Sequence, residues 1–154
     1  MTIETFLSQL AEHCGVAASD VSVAVEKEEE YIRVILTVPA DDSGLFIGYH
    51  GETLDSVQRM VRIIFQQEYP DHKIMVNVNE YREQREEKLR EITQSVALRV
   101  LESGVPYTFN SFFPAHERFV IHSFLSSNEA FSGLESVSEG DGKDRKLTIR
   151  LKTE

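Results

Sequence analysis

The stretch GLFIGYHGETLDSVQRMVRIIF, residues 44–65, sets two glycines three positions apart where a helix begins. The residues after Gly51 carry apolar side chains at helical spacing, which predicts an amphipathic helix. Its predicted inner face consists of Leu54, Val57, Val61, Ile64 and Phe65. The tripeptide before Gly48 predicts one short helical turn. A Gly-x-x-Gly loop between two consecutive helices either makes a sterically tight turn or lets a ligand approach the backbone closely.

The residues before and after this loop predict four further elements. An i, i+3, i+4, i+7 apolar pattern predicts a helix over residues 3–15. Two β-branched segments, residues 21–25 and 31–38, predict a strand hairpin, and alternation over 73–79 predicts a half-buried strand. The second segment also alternates, which predicts one face made of Ile32, Val34, Leu36 and Val38. Residues 1–79 therefore have the predicted order α-β-β-α-α-β, with the Gly-x-x-Gly loop between the second and third helices.

The remaining chain predicts a connecting helix and a second small unit. Residues 80–104 have a helical pattern whose first half is polar nearly all round, which suits a bridge between two domains. The predicted inner face of this helix consists of Leu89, Ile92, Val96 and Val100. Residues 105–154 predict a loop, a helix over 114–125, and two strands joined by a turn at EGDGKD. The side chains of the last strand predicted to point inward are Leu147, Ile149 and Leu151. The predicted class is α+β, with domains at 1–79 and 105–154 joined by a linking helix at 80–104.

The charge of the chain is strongly acidic and unevenly distributed. The 154 residues carry 16 Lys and Arg against 26 Asp and Glu, a formal net charge of −10, of which residues 1–79 contribute −8. Nonspecific nucleic-acid affinity is mostly an attraction between phosphate and cations, so this charge argues against indiscriminate binding to polyanions. The apolar runs are only a few residues long, the N-terminus has no basic leader, and Cys14 is the single cysteine. These features predict a cytoplasmic protein.

A ligand-binding interpretation of the glycine pair rests on its place before a helix. Free N–H groups at a helix N-terminus favour anions, and Gly48 and Gly51 have no Cβ to keep a phosphodiester away. Three neighbouring apolar residues are predicted to carry bases in a groove: Ile47, Leu54 and Val57. On spacing alone, a glycine pair that serves only the turn is the favoured interpretation.

The segment LFIGYHGETLDSVQRMV, residues 45–61, resembles the Gly-x-x-Gly segment of a KH domain, and the element order matches the type II KH arrangement. The resemblance implies single-stranded nucleic-acid binding, with Gly48, Tyr49, His50 and Gly51 as the backbone clamp. Many KH domains have Lys or Arg between the two glycines. Because Tyr49 and His50 stand there instead, we expect weaker and less salt-dependent binding.

Arg118 and His122 lie four residues apart in the predicted last helix and therefore on one helix face. Composition alone favours a surface arginine above a partly buried histidine, without a ligand. The Arg-x-x-x-His spacing resembles the R-3-H domain, which implies that both residues contact phosphate. His116 and His122 do not have the spacing of a zinc protease motif. No metal site, cofactor or catalytic constellation is predicted, so we expect the protein not to be an enzyme.

A KH domain followed by an Arg-x-x-x-His domain resembles the Jag family of bacterial RNA-binding proteins, also called KhpB, EloR or SpoIIIJ-associated proteins. The resemblance runs from Val21 to Lys152 and includes Tyr81, Arg82 and Arg85 at the start of the linking helix. It implies a post-transcriptional regulator that binds single-stranded RNA or, as a second candidate, single-stranded DNA.

The resemblance also implies a protein partner. Family members pair with a small single-KH protein or self-associate, and longer members carry an N-terminal Jag domain, which we do not expect in this sequence. The competing hypothesis is a protein-interaction adaptor that keeps the KH fold and binds little RNA. The acidic first half and the missing loop lysine motivate it.

Overall fold

A computed structural model describes residues 1–153 of the chain. The chain forms two compact units, Met1–Arg82 and Glu83–Glu154. The division falls within one long helix, between its second and third residues. Within residues 1–153, no helix combines the length and apolarity needed to cross a bilayer.

The first unit confirms the predicted α-β-β-α-α-β order. Its elements are α1 (Ile3–His13), β1 (Ser22–Lys27), β2 (Tyr31–Thr37), α2 (Ser43–Ile47), α3 (Glu52–Phe65) and β3 (Lys73–Val78). The strands form one sheet in the order β1-β2-β3. The β1–β2 pair is antiparallel, as the predicted hairpin requires, whereas the β2–β3 pair is parallel because α2 and α3 connect these strands.

The core of the first unit lies between the sheet and its helices. Strand β2 buries Ile32, Val34 and Leu36, the face that its alternation predicts. The stripe of α3 is buried as predicted except at Ile64, whose side chain is 45% exposed. Ile64 stands at the margin of the apolar stripe, where a one-residue rotation decides between core and solvent.

A fixed corner joins β3 to the next helix. Asn79 and Glu80 both have positive φ, 48° and 59°. The Asn79 amide pairs with the backbone of Val38 in both directions, accepting from its N–H at 3.0 Å and donating to its carbonyl at 2.8 Å. Asparagine tolerates this left-handed conformation better than most residues.

The second unit contains most of the long helix and a three-stranded sheet. Its elements are α4 (Tyr81–Ser103), β4 (Tyr107–Thr108), α5 (Ala115–Ser127), β5 (Leu134–Glu139) and β6 (Lys146–Leu151). The sheet has the order β4-β6-β5 with antiparallel pairs. The predicted α+β class is therefore confirmed. The two-residue strand β4 lies where the sequence predicts a loop, since it is too short to show an alternation.

The core of the second unit forms between α4, α5 and the sheet. Buried side chains from all three include Leu89, Val96, Val100, Ile121, Leu125, Leu147 and Ile149. The predicted inner face of α4 is buried at Leu89, Val96 and Val100, and Ile92 packs against it half-buried. Leu151, predicted to point inward, is 42% exposed at the end of β6.

Candidate nucleic-acid interface

The Gly-x-x-Gly loop is a tight turn between two helices. Helix α2 ends at Ile47, the turn covers Tyr49–Gly51, and α3 begins at Glu52. Three of the four loop residues have positive φ: Gly48 at 69°, His50 at 52° and Gly51 at 82°. Glycine reaches this region without the steric cost that a Cβ imposes, so the backbone path itself favours both glycines.

Steric contacts within the chain also favour glycine at positions 48 and 51. A Cβ on Gly48 would collide with the Thr53 side chain and would lie 2.9 Å from the Thr53 nitrogen. Gly51 is buried, and a Cβ there would meet Cε1 of Tyr81 at 3.2 Å. The geometry of the turn is thus sufficient to account for the glycine pair, whether or not a ligand approaches it.

The side chains of the loop differ in exposure. Tyr49 is 62% exposed and packs edge-on against the half-buried His50, with ring centroids 4.1 Å apart. The prediction that Leu54 and Val57 carry bases is wrong, because both side chains are buried in the core. A helix with one apolar stripe uses that stripe against its own sheet. Ile47 is half-buried beside them.

The apolar side chains that α3 does expose lie on another of its faces. Met60, Ile63 and Ile64 are 42%, 61% and 45% exposed and lie three and four residues apart. Met60 and Ile63 line a shallow cavity of about 360 Å³ with Asp55, Ser56 and Arg59. We call Met60, Ile63 and Ile64 the α3 apolar face.

The electrostatics around the loop do not favour anions. Residues 40–58 contain no lysine or arginine, and they contain four acidic residues. One of these, Asp55, forms an ion pair with Arg82, with 3.1 Å between Oδ1 and Nη2. Any attraction for phosphate at the loop therefore depends on backbone N–H groups and on His50.

Tyr81 and Arg82 connect the start of α4 to the first unit. Tyr81 packs against Gly51, and the Arg82 side chain donates from Nε to the Val76 carbonyl at 3.1 Å. Arg82 Nη2 also donates to Gln58 at 3.4 Å, and Gln58 accepts from the Val76 N–H at 2.9 Å. These two residues, which carry part of the family resemblance, therefore support the loop-bearing helix α3.

The predicted Arg-x-x-x-His pair lies on one face of α5. Arg118 is half-buried and donates from Nη1 to the Phe113 carbonyl at 2.7 Å. His122 is exposed, and its Nδ1 lies 3.1 Å from the Ser136 hydroxyl on β5. Both side chains line one cavity of about 310 Å³, together with Ala115, Phe119, Ser136, Ser138 and Leu147. We call this the α5 cavity.

The cations on the last hairpin have different surroundings. Arg145 donates from Nε to the hydroxyl of Ser138 at 2.8 Å, which places its guanidinium beside the α5 cavity. Arg150 forms an ion pair with Glu135 at 2.8 Å, and Lys146 donates to the Asn110 carbonyl. Of these three, Arg145 is the cation whose side chain contacts a residue that lines the α5 cavity.

Helix α5 also has a buried carboxylate that the sequence analysis missed. Glu117 is completely buried and accepts two hydrogen bonds from Arg85 on α4, at 2.7 Å from Nε and 3.2 Å from Nη2. A sequence signal for it exists. Glu117, Ile121 and Leu125 are spaced by four, so the carboxylate occupies the apolar stripe of the helix.

Metal binding has no support in the part of the chain that the structure describes. Across residues 1–153, no three His, Cys, Asp or Glu side chains gather closely enough to hold a metal ion. His116 and His122, the histidines considered for zinc, are not part of such a group.

Comparisons with known proteins cover nearly the whole chain. Residues 3–78 match the model of the KhpA/KhpB KH domain, and residues 87–151 match the model of the R-3-H domain. The RNA-binding protein KhpB of Clostridium symbiosum is 29% identical over 150 residues, covering 97% of this chain and 64% of that protein.

Two further relatives bear the same name. The RNA-binding protein KhpB of Streptococcus pneumoniae is 29% identical over 150 residues, which cover 96% of this chain and 44% of the relative. That of Lactiplantibacillus plantarum is 24% identical over 152 residues, which cover 97% and 46%. The chain thus spans about half to two-thirds of the length of these curated relatives. With a KhpA/KhpB-type KH domain followed by an R-3-H domain, the chain belongs to the Jag/KhpB family.

Proposed function

We propose that this chain binds single-stranded RNA without catalysing a reaction. The observation that carries the proposal is the position of Arg118 and His122, one helical turn apart on the rim of the same cavity. Arginine offers a forked donor to phosphate, and histidine offers a second donor beside it. The relatives named RNA-binding protein KhpB support the proposal, as does the presence of two domains that serve binding.

The KH loop supplies the second contact in this proposal. Gly48, Tyr49, His50 and Gly51 form the clamp, in which loop N–H groups meet the phosphate and the exposed Tyr49 ring stacks on a base. Because the loop has no lysine or arginine, each site alone binds weakly. Two weak sites on one chain gain affinity through effective concentration, provided that one strand reaches both. Single-stranded DNA is a second candidate ligand.

The proposal is tested by fluorescence anisotropy with a labelled single-stranded RNA pool at low and physiological salt. The variants are Tyr49→Asp/His50→Asp and His122→Ala, with Arg118→Ala/His122→Ala as a stronger change. Arg118 also holds the Phe113 carbonyl, so unfolding is measured alongside binding for that variant. Lys88→Ala, which removes an exposed positive charge from α4, is the matched control.

The outcomes separate the contributions of the two sites. We expect both site variants to weaken binding while Lys88→Ala changes it little. Loss in one variant only would assign binding to that site. If the unmodified chain shows no saturable binding to single-stranded RNA even at low salt, the proposed function is wrong.

The proposed division of labour follows the predicted domains. Residues 1–79 form the KH domain, 80–104 the linking helix, and 105–154 the R-3-H domain. Most of the linking helix serves the last of these, since Leu89, Val96 and Val100 pack into the core of the second unit. We further propose that the protein acts in the cytoplasm as a post-transcriptional regulator.

A protein-interaction adaptor is the second candidate function, and the α3 apolar face favours it. Met60, Ile63 and Ile64 are exposed, and the residues that flank the nearby loop are acidic, which opposes RNA more than it opposes a protein. The proposed partner is a small single-KH protein or a second copy of this chain.

Light scattering after size exclusion tests the adaptor hypothesis. A dimer that Ile63→Asp dissociates, while Leu98→Asp on α4 leaves it intact, would support self-association through this face. A monomer at all concentrations would rule self-association out. A separate titration with the single-KH protein would then decide whether the adaptor hypothesis survives.

A further inference from the structure

We propose that the α5 cavity holds one complete nucleotide of a single-stranded RNA, with its base stacked on Phe119. The proposal rests on the proposed RNA-binding function and adds a base-contacting residue that neither the R-x-x-x-H spacing nor the family match identifies. Phe119 is 70% exposed, the most exposed phenylalanine, leucine or isoleucine side chain among residues 1–153.

The position of Phe119 relates it to both proposed phosphate ligands. Phe119 follows Arg118 directly and precedes His122 by three residues, so its ring and the His122 ring are neighbours on the helix surface. Ala115, one turn earlier on the same face, leaves the space beside the ring open. An exposed phenylalanine costs free energy in water, and its presence between two proposed phosphate ligands fits a ring that a bound nucleotide covers.

The ring also borders a second cavity. This one, about 440 Å³, is lined by His116, Val120 and Phe124 among others. Because Phe119 lines cavities on both sides, its ring is accessible to a planar group such as a base. Stacking on an aromatic side chain does not depend on which base is present, which suits binding without strict sequence preference.

The floor of the α5 cavity is polar where a core would be apolar. Leu134, Ser136 and Ser138 alternate along β5, and the two serines pair with Ile149 and Leu147 of β6. Leu134, Ile149 and Leu147 are buried, but Ser136 and Ser138 are half-buried and line the cavity. Two hydroxyl groups thus occupy positions where a pair of apolar side chains would pack α5 against the sheet. They supply donors and acceptors for a ribose hydroxyl or a base edge.

The proposed phosphate ligands line the same cavity as Phe119. In the tautomer in which Ser136 donates to Nδ1 of His122, Nε2 carries the proton and donates to a phosphate oxygen. Arg118, anchored on the Phe113 carbonyl, adds positive charge from the same helix, and Arg145, which donates to Ser138, adds it from the turn before β6. The cavity therefore combines a stacking ring, hydroxyl groups and a cationic rim, which are the three contacts that a nucleotide needs.

The test uses the absence of tryptophan from the chain. Phe119→Trp creates a single fluorescent reporter at the proposed stacking position, and Leu98→Trp creates one at a half-exposed position on α4. A single-stranded oligoribonucleotide and a backbone-matched abasic oligomer are titrated into both full-length variants. Anisotropy of a label on each oligomer reports binding independently of tryptophan emission.

We expect the RNA to quench the emission of the Phe119→Trp variant with the same midpoint as the anisotropy change, and to leave the emission of the Leu98→Trp variant unchanged. The abasic oligomer binds the Phe119→Trp variant without quenching it. In the series without tryptophan, Phe119→Ala weakens RNA binding by about tenfold or more, whereas Phe119→Tyr retains it and abasic binding does not change. Unchanged unfolding midpoints show that the substitutions leave the fold intact.

The failures of the two proposals look different. Two results would each overturn the nucleotide site and leave the proposed function standing. One is RNA binding by the Phe119→Trp variant without quenching of its tryptophan, and the other is Phe119→Ala binding RNA as well as the unmodified chain. No RNA binding by the unmodified chain overturns both proposals.

Discussion

The Glu117 carboxylate, completely buried on α5, accepts two hydrogen bonds from the guanidinium of Arg85 on α4. This pair connects two helices of the second unit immediately beside Arg118. It therefore stabilises the part of α5 that carries the proposed phosphate ligands. A buried charge depends on its partner, because removing either group leaves the other uncompensated.

We expect Arg85→Ala to lower the free energy of unfolding of the second unit by about 3–5 kcal/mol. Arg90→Ala is the matched control, since Arg90 forms exposed ion pairs with Glu86 and Glu87 on the same helix and should cost less than about 1 kcal/mol. Urea denaturation monitored by circular dichroism measures both. Equal losses of unfolding free energy in the two variants would show that the buried Arg85–Glu117 pair contributes no more than an exposed pair.

Gly48→Ala should destabilise the first unit much more than Gly15→Ala does. Both glycines have positive φ, 69° and 96°, so both substitutions incur the backbone cost of about 1–2 kcal/mol. A Cβ at position 15 meets no atom within 4 Å, whereas one at position 48 collides with Thr53. Thermal unfolding of the two variants isolates that collision, and similar midpoints would contradict it.

The collision at position 48 determines which loop variants are informative in binding experiments. A Gly48 variant that loses RNA affinity reports on a damaged turn as much as on a lost ligand contact. Substitutions at Tyr49 and His50 are the better probes, because Tyr49 is exposed and aspartate tolerates the left-handed conformation of His50.

Arg82→Lys should behave as a disruptive substitution, costing about 1.5–3 kcal/mol of first-unit stability. The Arg82 fork reaches the Val76 carbonyl from Nε and Asp55 from Nη2, and a lysine ammonium does not reproduce that geometry. Arg33→Lys, at a pair with Glu28 that is about half exposed, serves as the control. Chemical denaturation decides the matter, and a neutral Arg82→Lys would mean that charge alone suffices.

Adding a cation to the KH loop should steepen the salt dependence of RNA binding. For a single strand, each additional phosphate contact changes the slope of log affinity against log salt by about 0.7. We expect Tyr49→Lys to show this change and Gln84→Lys, which adds the same charge on α4, not to show it. If the two variants respond alike, the added charge acts through the overall field, and the loop is not in contact with the strand.

Much of the fold was predictable because the spacing of apolar residues along the chain indicates which side chains are buried. The alternation in β2 and the stripe of α3 correctly predicted which side chains face the core, and the element order followed from them. The same logic shows why the predicted base contacts at Leu54 and Val57 failed. The apolar stripe of an amphipathic helix packs against its own sheet and is therefore not accessible to a ligand.

The parts of the site that escaped prediction depend on distant partners. Nothing local pairs Glu117 with Arg85, which lies 32 residues earlier in the chain. Ser136 and Ser138 look like ordinary strand residues until α5 is placed above them. Arg118 and His122 were predicted to share a helix face, and the structure places both at one cavity. Their role in binding RNA stays a prediction.

The corner at Asn79 and Glu80 affects how this KH unit can be separated from the rest of the chain. A fragment ending at residue 79 would keep every predicted KH strand and helix. It would lose the Tyr81 ring, which packs against Gly51, and the Arg82 guanidinium, which donates to the Val76 carbonyl. The smallest self-sufficient piece therefore extends into the first turn of α4. Exchanging KH modules between proteins at residue 79 would therefore remove the residues that support the Gly-x-x-Gly loop.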